Sequence, residues 1–119
     1  MNLKNFYAAI NGDYDGVIGR MRSEVLVKKF IFKFEEDPNF CELKKALSEG
    51  NRDDAFRAVH TIKGICQNLG FTSLQESASV LTQYLRVGLN NECVLLMQQV
   101  EEDYTKIINA ISELRNSGE

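Results

Sequence analysis

The chain has 119 residues, 44% of them apolar and 26% charged, with a formal net charge of −3. That length suits one domain with its own core. The acidic balance excludes the clustered basic excess of a nucleic-acid or anionic-membrane surface, and no apolar run nears the roughly 20 residues of a membrane span.

The N-terminal segment MNLKNFYAAINGDYDG has no extended apolar region and no small-residue cleavage site, so it does not read as a signal peptide. Leu3, Phe6, Tyr7 and Ile10 form a short helical stripe that Gly12 ends. Asp13 to Arg22 reads as a transition, with a turn of helix around Val17 to Met21. Ser23 is an N-cap candidate and Glu24 suits a first helical turn. Leu26, Val27, Phe30, Ile31 and Phe34 then mark one apolar side of a helix that Asp37-Pro38 interrupts.

A further helix runs from about Asn39 to Ser48 on Phe40, Leu43 and Leu47, and Gly50-Asn51 closes it. The next spans about Asp53 to Leu69 and stops at Gly70. Thr72 or Ser73 caps its successor, with Glu76 placed for a capping box in the Ser73 case. Leu74, Ala78, Leu81 and Leu85 are the buried positions of that helix. After Gly88 and Asn90-Asn91, Cys93, Met97, Val100, Tyr104, Ile107, Ile111 and Leu114 alternate steps of four and three, the seam of a helix packed nearly parallel to its neighbours. No segment alternates with period two. The pattern is all-α: an antiparallel up-and-down four-helix bundle with an additional short N-terminal helix. Residues 1–119 form a single domain, with a bundle core at about 23–115 and residues 1–22 as an N-terminal appendage.

Cys41, Cys66 and Cys93 are odd in number, far apart and without a C-x-x-C pair. They read as reduced thiols of a cytoplasmic protein. With one histidine, they lack the spacing of a zinc site, so no metal is expected.

The single histidine sits in HTIKGICQNLG, residues 60–70. With His60 at zero on a helical wheel, Ala55, Ala58, Val59, Ile62, Ile65, Cys66 and Leu69 fall between about 140° and 260°, the core arc. His60 lies opposite, among Lys63, Gln67, Gly64 and Phe56. A mid-helix glycine costs about 1 kcal/mol relative to alanine. Gly64 faces outward, so the core does not account for it; a missing Cβ beside an imidazole clears space for something large. Lys63 brings a movable cation suited to an anion on the ring, Gln67 an amide, and neutral imidazole is a nucleophile near physiological pH. Together they describe a ring able to carry a phosphoryl group and present it to a partner.

The run from His60 to Gly70 resembles the signature of histidine-containing phosphotransfer (HPt) domains, H-x-[apolar]-K-G-x-[small]-x-x-[apolar]-G. Ala55 to Val59 before it and Phe71 to Glu76 after it also suit that family. The resemblance implies a phosphorelay carrier of a two-component system, a substrate rather than an enzyme. His60 accepts a phosphoryl group from a receiver-domain aspartate and passes it to another receiver. Lys63 steadies the phosphoryl oxygens, Gly64 lets the receiver close over the ring, and Gln67 hydrogen-bonds nearby. Magnesium belongs to the receiver, and this chain needs no cofactor. Its partners are response-regulator receivers and a (hybrid) sensor histidine kinase, with the chain itself a monomer. The chemotaxis-kinase relatives place a glutamate where Thr82 stands, which favours a receiver-fed carrier. Ser79 and Thr82, three apart on the adjacent helix, are candidates to line the side facing the histidine and to contact a docked receiver. Phe56 reads either as a receiver-docking contact or as a ring folded onto the bundle edge. Two rival readings remain: a helix-binding adaptor that does no chemistry, and the phosphoacceptor segment of a larger hybrid histidine kinase.

Overall fold

Each break in the apolar periodicity coincides with a side chain or backbone group able to start or stop a helix. In a computed structural model, residues 1–117 are described, and seven helices follow one another among them. Asn2 caps α1 (Leu3–Ala9), its Oδ1 accepting from the Asn5 amide at 2.8 Å. Asp13 caps α2 (Tyr14–Met21) by accepting from the Gly16 amide at 3.0 Å. Ser23 caps α3 (Glu24–Glu35) through the Leu26 amide at 3.2 Å. Pro38 directly precedes α4 (Asn39–Ser48), where a missing N–H costs nothing. Asn51 caps α5 (Arg52–Leu69), and Asn90 caps α7 (Asn91–Asn116).

Two expectations about the termini give way. The segment expected as a transition after Asp13 is a complete helix, ended by Arg22 in the left-handed conformation at φ 59°. No capping box forms at α6 (Thr72–Val87): its N-cap is Phe71, without a side-chain hydrogen bond. Phe71 is fully buried against Phe34 and Phe6, with ring centroids 5.2 and 6.1 Å away. Burying that ring outweighs the capping bond a polar side chain would supply.

The fold is an all-α helical bundle. Helices α4 to α7 pack in chain order, each on the next, while α1 and α3 close over α7. Among the described residues, no helix is long and apolar enough to cross a membrane. The periodic positions Leu43, Ile62, Leu74, Leu81, Val100, Ile111 and Leu114 are buried in one continuous core. Leu3, Phe6 and Tyr7 of α1 belong to the same core. Leu26 and Phe30, expected inside, are 37% and 38% exposed. The α3 backbone commits Val27, Ile31 and Phe34 to the interior, which leaves the adjoining part of the predicted stripe outside. The cysteines are free; Cys41 is exposed, and Cys66 and Cys93 are buried.

The N-terminal helices also complete the end of α5. The last carbonyls of a helix have no partner within it. Here the Tyr7 hydroxyl donates to the Leu69 carbonyl at 2.6 Å. The Arg20 guanidinium donates to the carbonyls of Gln67 and Asn68 at 3.2 and 2.9 Å. Gly70 turns the chain at φ +73°, and a Cβ there would lie 2.8 Å from the Asp13 carbonyl oxygen. Only glycine satisfies both conditions.

Burial holds the Tyr7 phenol and the Cys66 thiol well above their ordinary values of 10.0 and 9.0. Above those values the unfolded chain releases protons that the folded chain retains, so folding stability falls as pH rises. Denaturant melts across the alkaline range should show that fall, with less of it in Tyr7→Phe. At neutral pH, Tyr7→Phe orphans the Leu69 carbonyl and should lower the unfolding free energy by about 1–3 kcal/mol.

Candidate functional site

Eighteen residues of α5 separate two surfaces. Ala55, Ala58, Val59, Ile62, Cys66 and Leu69 are buried, while Ile65, expected with them, is half-buried. His60 stands on the opposite side, exposed. Its ring has no hydrogen-bond partner among the described residues. It meets Phe56, at 5.9 Å between ring centroids and 55° between planes, and shares a shallow pocket with Arg52, Arg57 and Thr61.

The surroundings of His60 differ sharply from flank to flank. Towards α6, Phe56 has two guanidinium groups over its ring, with Arg52 Cζ 5.3 Å and Arg86 Cζ 5.4 Å from its centroid. Arg52 starts α5, yet its side chain reaches the far end of α6. Its Nε donates to the Leu85 carbonyl at 2.7 Å and its Nη2 to the Arg86 carbonyl at 3.1 Å. Lys63 is on this flank by helical phase, half-buried and without an ion pair among the described residues. Of the two alternatives for Phe56, the half-buried ring is the one folded onto the bundle edge, against α6, and it also meets the imidazole.

On the other flank Arg57 is exposed and pairs with Asp54 at 3.0 Å, and Gly64 leaves the backbone uncovered. A Cβ built on Gly64 meets nothing within 4 Å. Beside it a groove of about 570 Å³ runs between α3 and α5, lined by Phe30, Lys33, Thr61, Gly64, Ile65 and Asn68 among others. Leu26 stands one turn before Phe30 on α3 and is likewise exposed, and Val25 beside it is 82% exposed. Apolar surface, a basic side chain and uncovered backbone therefore lie together beside Gly64 on the α3 side of α5.

Thr82 does not reach the site. It is 1% exposed, and its hydroxyl donates to the Ala78 carbonyl at 2.7 Å within its own helix. Buried beneath α6, it neither faces His60 nor contacts a partner, contrary to the docking role expected for it. Ser79 is half-buried on the face of α6 that carries Arg86, and no recorded contact joins it to His60. Gln67 is exposed and free to reach outward; its carbonyl, not its amide, is engaged, by Arg20.

The Hpt domain family model matches residues 31–116. The chain belongs to the Hpt domain family. No curated protein and no solved structure gives a match to it. Hpt domains act in histidine phosphotransfer within phosphorelay signalling. This Hpt domain contains one histidine, so the family's phosphoryl-bearing residue has one candidate, and it is the ring described above.

Sequence reading of this Hpt domain missed Arg52 and Arg86. Arg52 lies two turns from His60 along α5 and Arg86 is on another helix, so no local spacing joins either to the motif. Phe30 was legible only as a core residue. A surplus of large apolar side chains on α3 was the available signal, since one helix face cannot bury all of Leu26, Val27, Phe30, Ile31 and Phe34.

The empty space at Gly64 separates stability from function. Gly64→Ala should stabilise this Hpt domain by about 1 kcal/mol, because the methyl group meets no neighbour and helix propensity improves. Thermal unfolding followed by circular dichroism measures the gain.

Proposed function

We propose that this chain is a phosphorelay carrier: His60 takes a phosphoryl group from the aspartate of one receiver domain and passes it to another. The observation supporting this most directly is the contrast between the two flanks of an exposed, unpartnered imidazole. Phe56 with Arg52 and Arg86 stands on the α6 flank, and uncovered backbone at Gly64, beside a largely apolar groove that also holds Lys33, lies on the other.

The transfer conserves atoms and charge simply. A lone pair on a ring nitrogen attacks phosphorus, a nitrogen–phosphorus bond forms, and the bond from phosphorus to the aspartyl oxygen breaks. The receiver recovers a carboxylate, and the other ring nitrogen keeps its proton. The reverse sequence delivers the group onward. The phosphoryl group brings about two negative charges to the ring. Arg57 and Lys63 are each three residues from His60; Arg57 pairs with Asp54 at 3.0 Å, and the Lys63 stem is long enough to follow those oxygens. Catalysis of this kind is mostly positioning and charge neutralisation. The chain supplies a rigid nucleophile; magnesium and the acidic cluster belong to the receiver. In that sense the chain is a substrate and carrier, not an enzyme.

The receiver approaches from the α3 flank. Gly64 admits its backbone close to the ring, Leu26, Phe30 and Ile65 offer apolar contact, and Lys33 suits the acidic surround of a receiver's magnesium site. This moves the docking face away from Ser79 and Phe56, on the α6 flank.

A phosphorylated receiver with Mg²⁺ should label the wild type and leave His60→Gln unlabelled, and the label should be acid-labile and base-stable. Label retained by His60→Gln would place the acceptor elsewhere. Gly64→Gln should slow transfer while helicity is preserved, and Lys63→Ala should weaken transfer or shorten the lifetime of the phosphorylated form. Phe30→Asp should raise the receiver concentration needed for half-maximal transfer by about tenfold or more, the scale of a central docking residue; a curve superimposing on the wild type would move docking off α3.

A further inference from the structure

Arg52 is far from the phosphoryl site in sequence terms, yet three of its interactions converge on one structure. Its guanidinium satisfies the Leu85 and Arg86 carbonyls at the end of α6. It stacks on the Phe56 ring with Cζ 5.3 Å from the centroid, and Arg86 stacks there too, with Cζ at 5.4 Å. It also pairs with Asp53 at 2.8 Å. A cation at a helix C-terminus is favoured by the helix dipole as well as by the hydrogen bonds. Guanidinium groups stacked on an aromatic ring add cation–π attraction, and the planar fork is suited to holding carbonyls and a ring together.

The arrangement links what the backbone leaves independent. The last turn of α6 carries Arg86, and Phe56 touches the imidazole at a centroid distance of 5.9 Å. Without Arg52, the end of α6 would be tied by neither hydrogen bond and the Phe56 ring would lose one of its two covers.

We infer that Arg52, through its stack with Phe56 and Arg86, is a positioning residue for the His60 imidazole. Resting on the carrier function proposed above, it assigns regulation of ring orientation to a side chain two turns from the nucleophile. Arg52 touches neither the ring nor the transferred group. It fixes the last turn of α6 and the Phe56 ring, and these hold the imidazole and keep the Arg86 cation on the flank opposite Gly64.

The test separates this role from simple helix capping. In the free protein, the His60 ring-proton resonances report the placement of the Phe56 ring. Arg52→Ala should shift them, and Arg52→Lys should not restore them, because an ammonium cannot stack and bridge two carbonyls at once. In transfer from a phosphorylated receiver, Arg52→Ala should lower the maximal rate about tenfold and leave the half-saturating receiver concentration unchanged. Phe56→Leu keeps both Arg52–carbonyl bonds and should reproduce the loss in maximal rate. If Arg52→Ala leaves the ring-proton resonances or the maximal rate at wild-type values, or if Phe56→Leu acts on half-saturation alone, the positioning role is overturned. Failure of the wild type to accept phosphate would instead overturn the carrier reading, since the ring resonances need no transfer to be measured.

Discussion

One helix has to be core on one side and reagent on the other. The apolar stripe of α5, from Ala55 to Leu69, is pressed into the bundle, and that packing fixes the helix in rotation. His60 then points outward without a hydrogen bond from any described residue to hold it there. A nucleophile held by its own polar bonds would have to break them to react. Here the placement comes from burial on the far side of the helix, so the ring nitrogens stay available. The tyrosine, arginine and asparagine groups at the ends of α5 serve that same constraint. Asn51 satisfies its start, and Tyr7 and Arg20 satisfy its last carbonyls. The N-terminal helices thereby bear on the reactive surface without approaching it.

The flanks of His60 divide two requirements that conflict. A phosphoryl group needs positive charge nearby, and a protein partner needs room. Long basic side chains placed all round the ring would satisfy the first and obstruct the second. The bundle separates them by helix: α6 and the start of α5 supply Arg86, Arg52 and Phe56, while α3 supplies an open groove with Phe30 and Lys33. Helical phase makes this division automatic, since Lys63 and Gly64 are consecutive residues and point about 100° apart.

Much of this was readable from residue order because it follows from periods of three and four. The helices from α3 to α7, the outward direction of His60 and the openness at Gly64 depend on local spacing, which the chain displays directly. What escaped depends on contacts between helices. Leu26 and Phe30 have the spacing of core residues, and only the rotation of α3 against its neighbours decides that they stay outside. Thr82 lies on the helix next to the histidine, but the phase of α6 turns it inward. Phe71 stands where a polar cap was expected because the aromatic cluster of Phe6 and Phe34 claims it. Arg52 and Arg86 are ordinary surface arginines until the two helix ends meet.

Gly64 shows why a helix would retain its weakest residue. Nothing in the described residues requires the missing side chain, since a Cβ there would meet no atom within 4 Å beyond its chain neighbours and its own helix backbone, and a helix of eighteen residues would be more stable without the glycine. A position where the folded chain has room to spare and still carries no side chain is not explained by packing or by backbone strain. On the carrier function proposed above, the account is external: a receiver surface meeting α5 would fill the space, beside a groove whose apolar side is Phe30. Stability would then be conceded at the residue where close approach to the imidazole has to stay open.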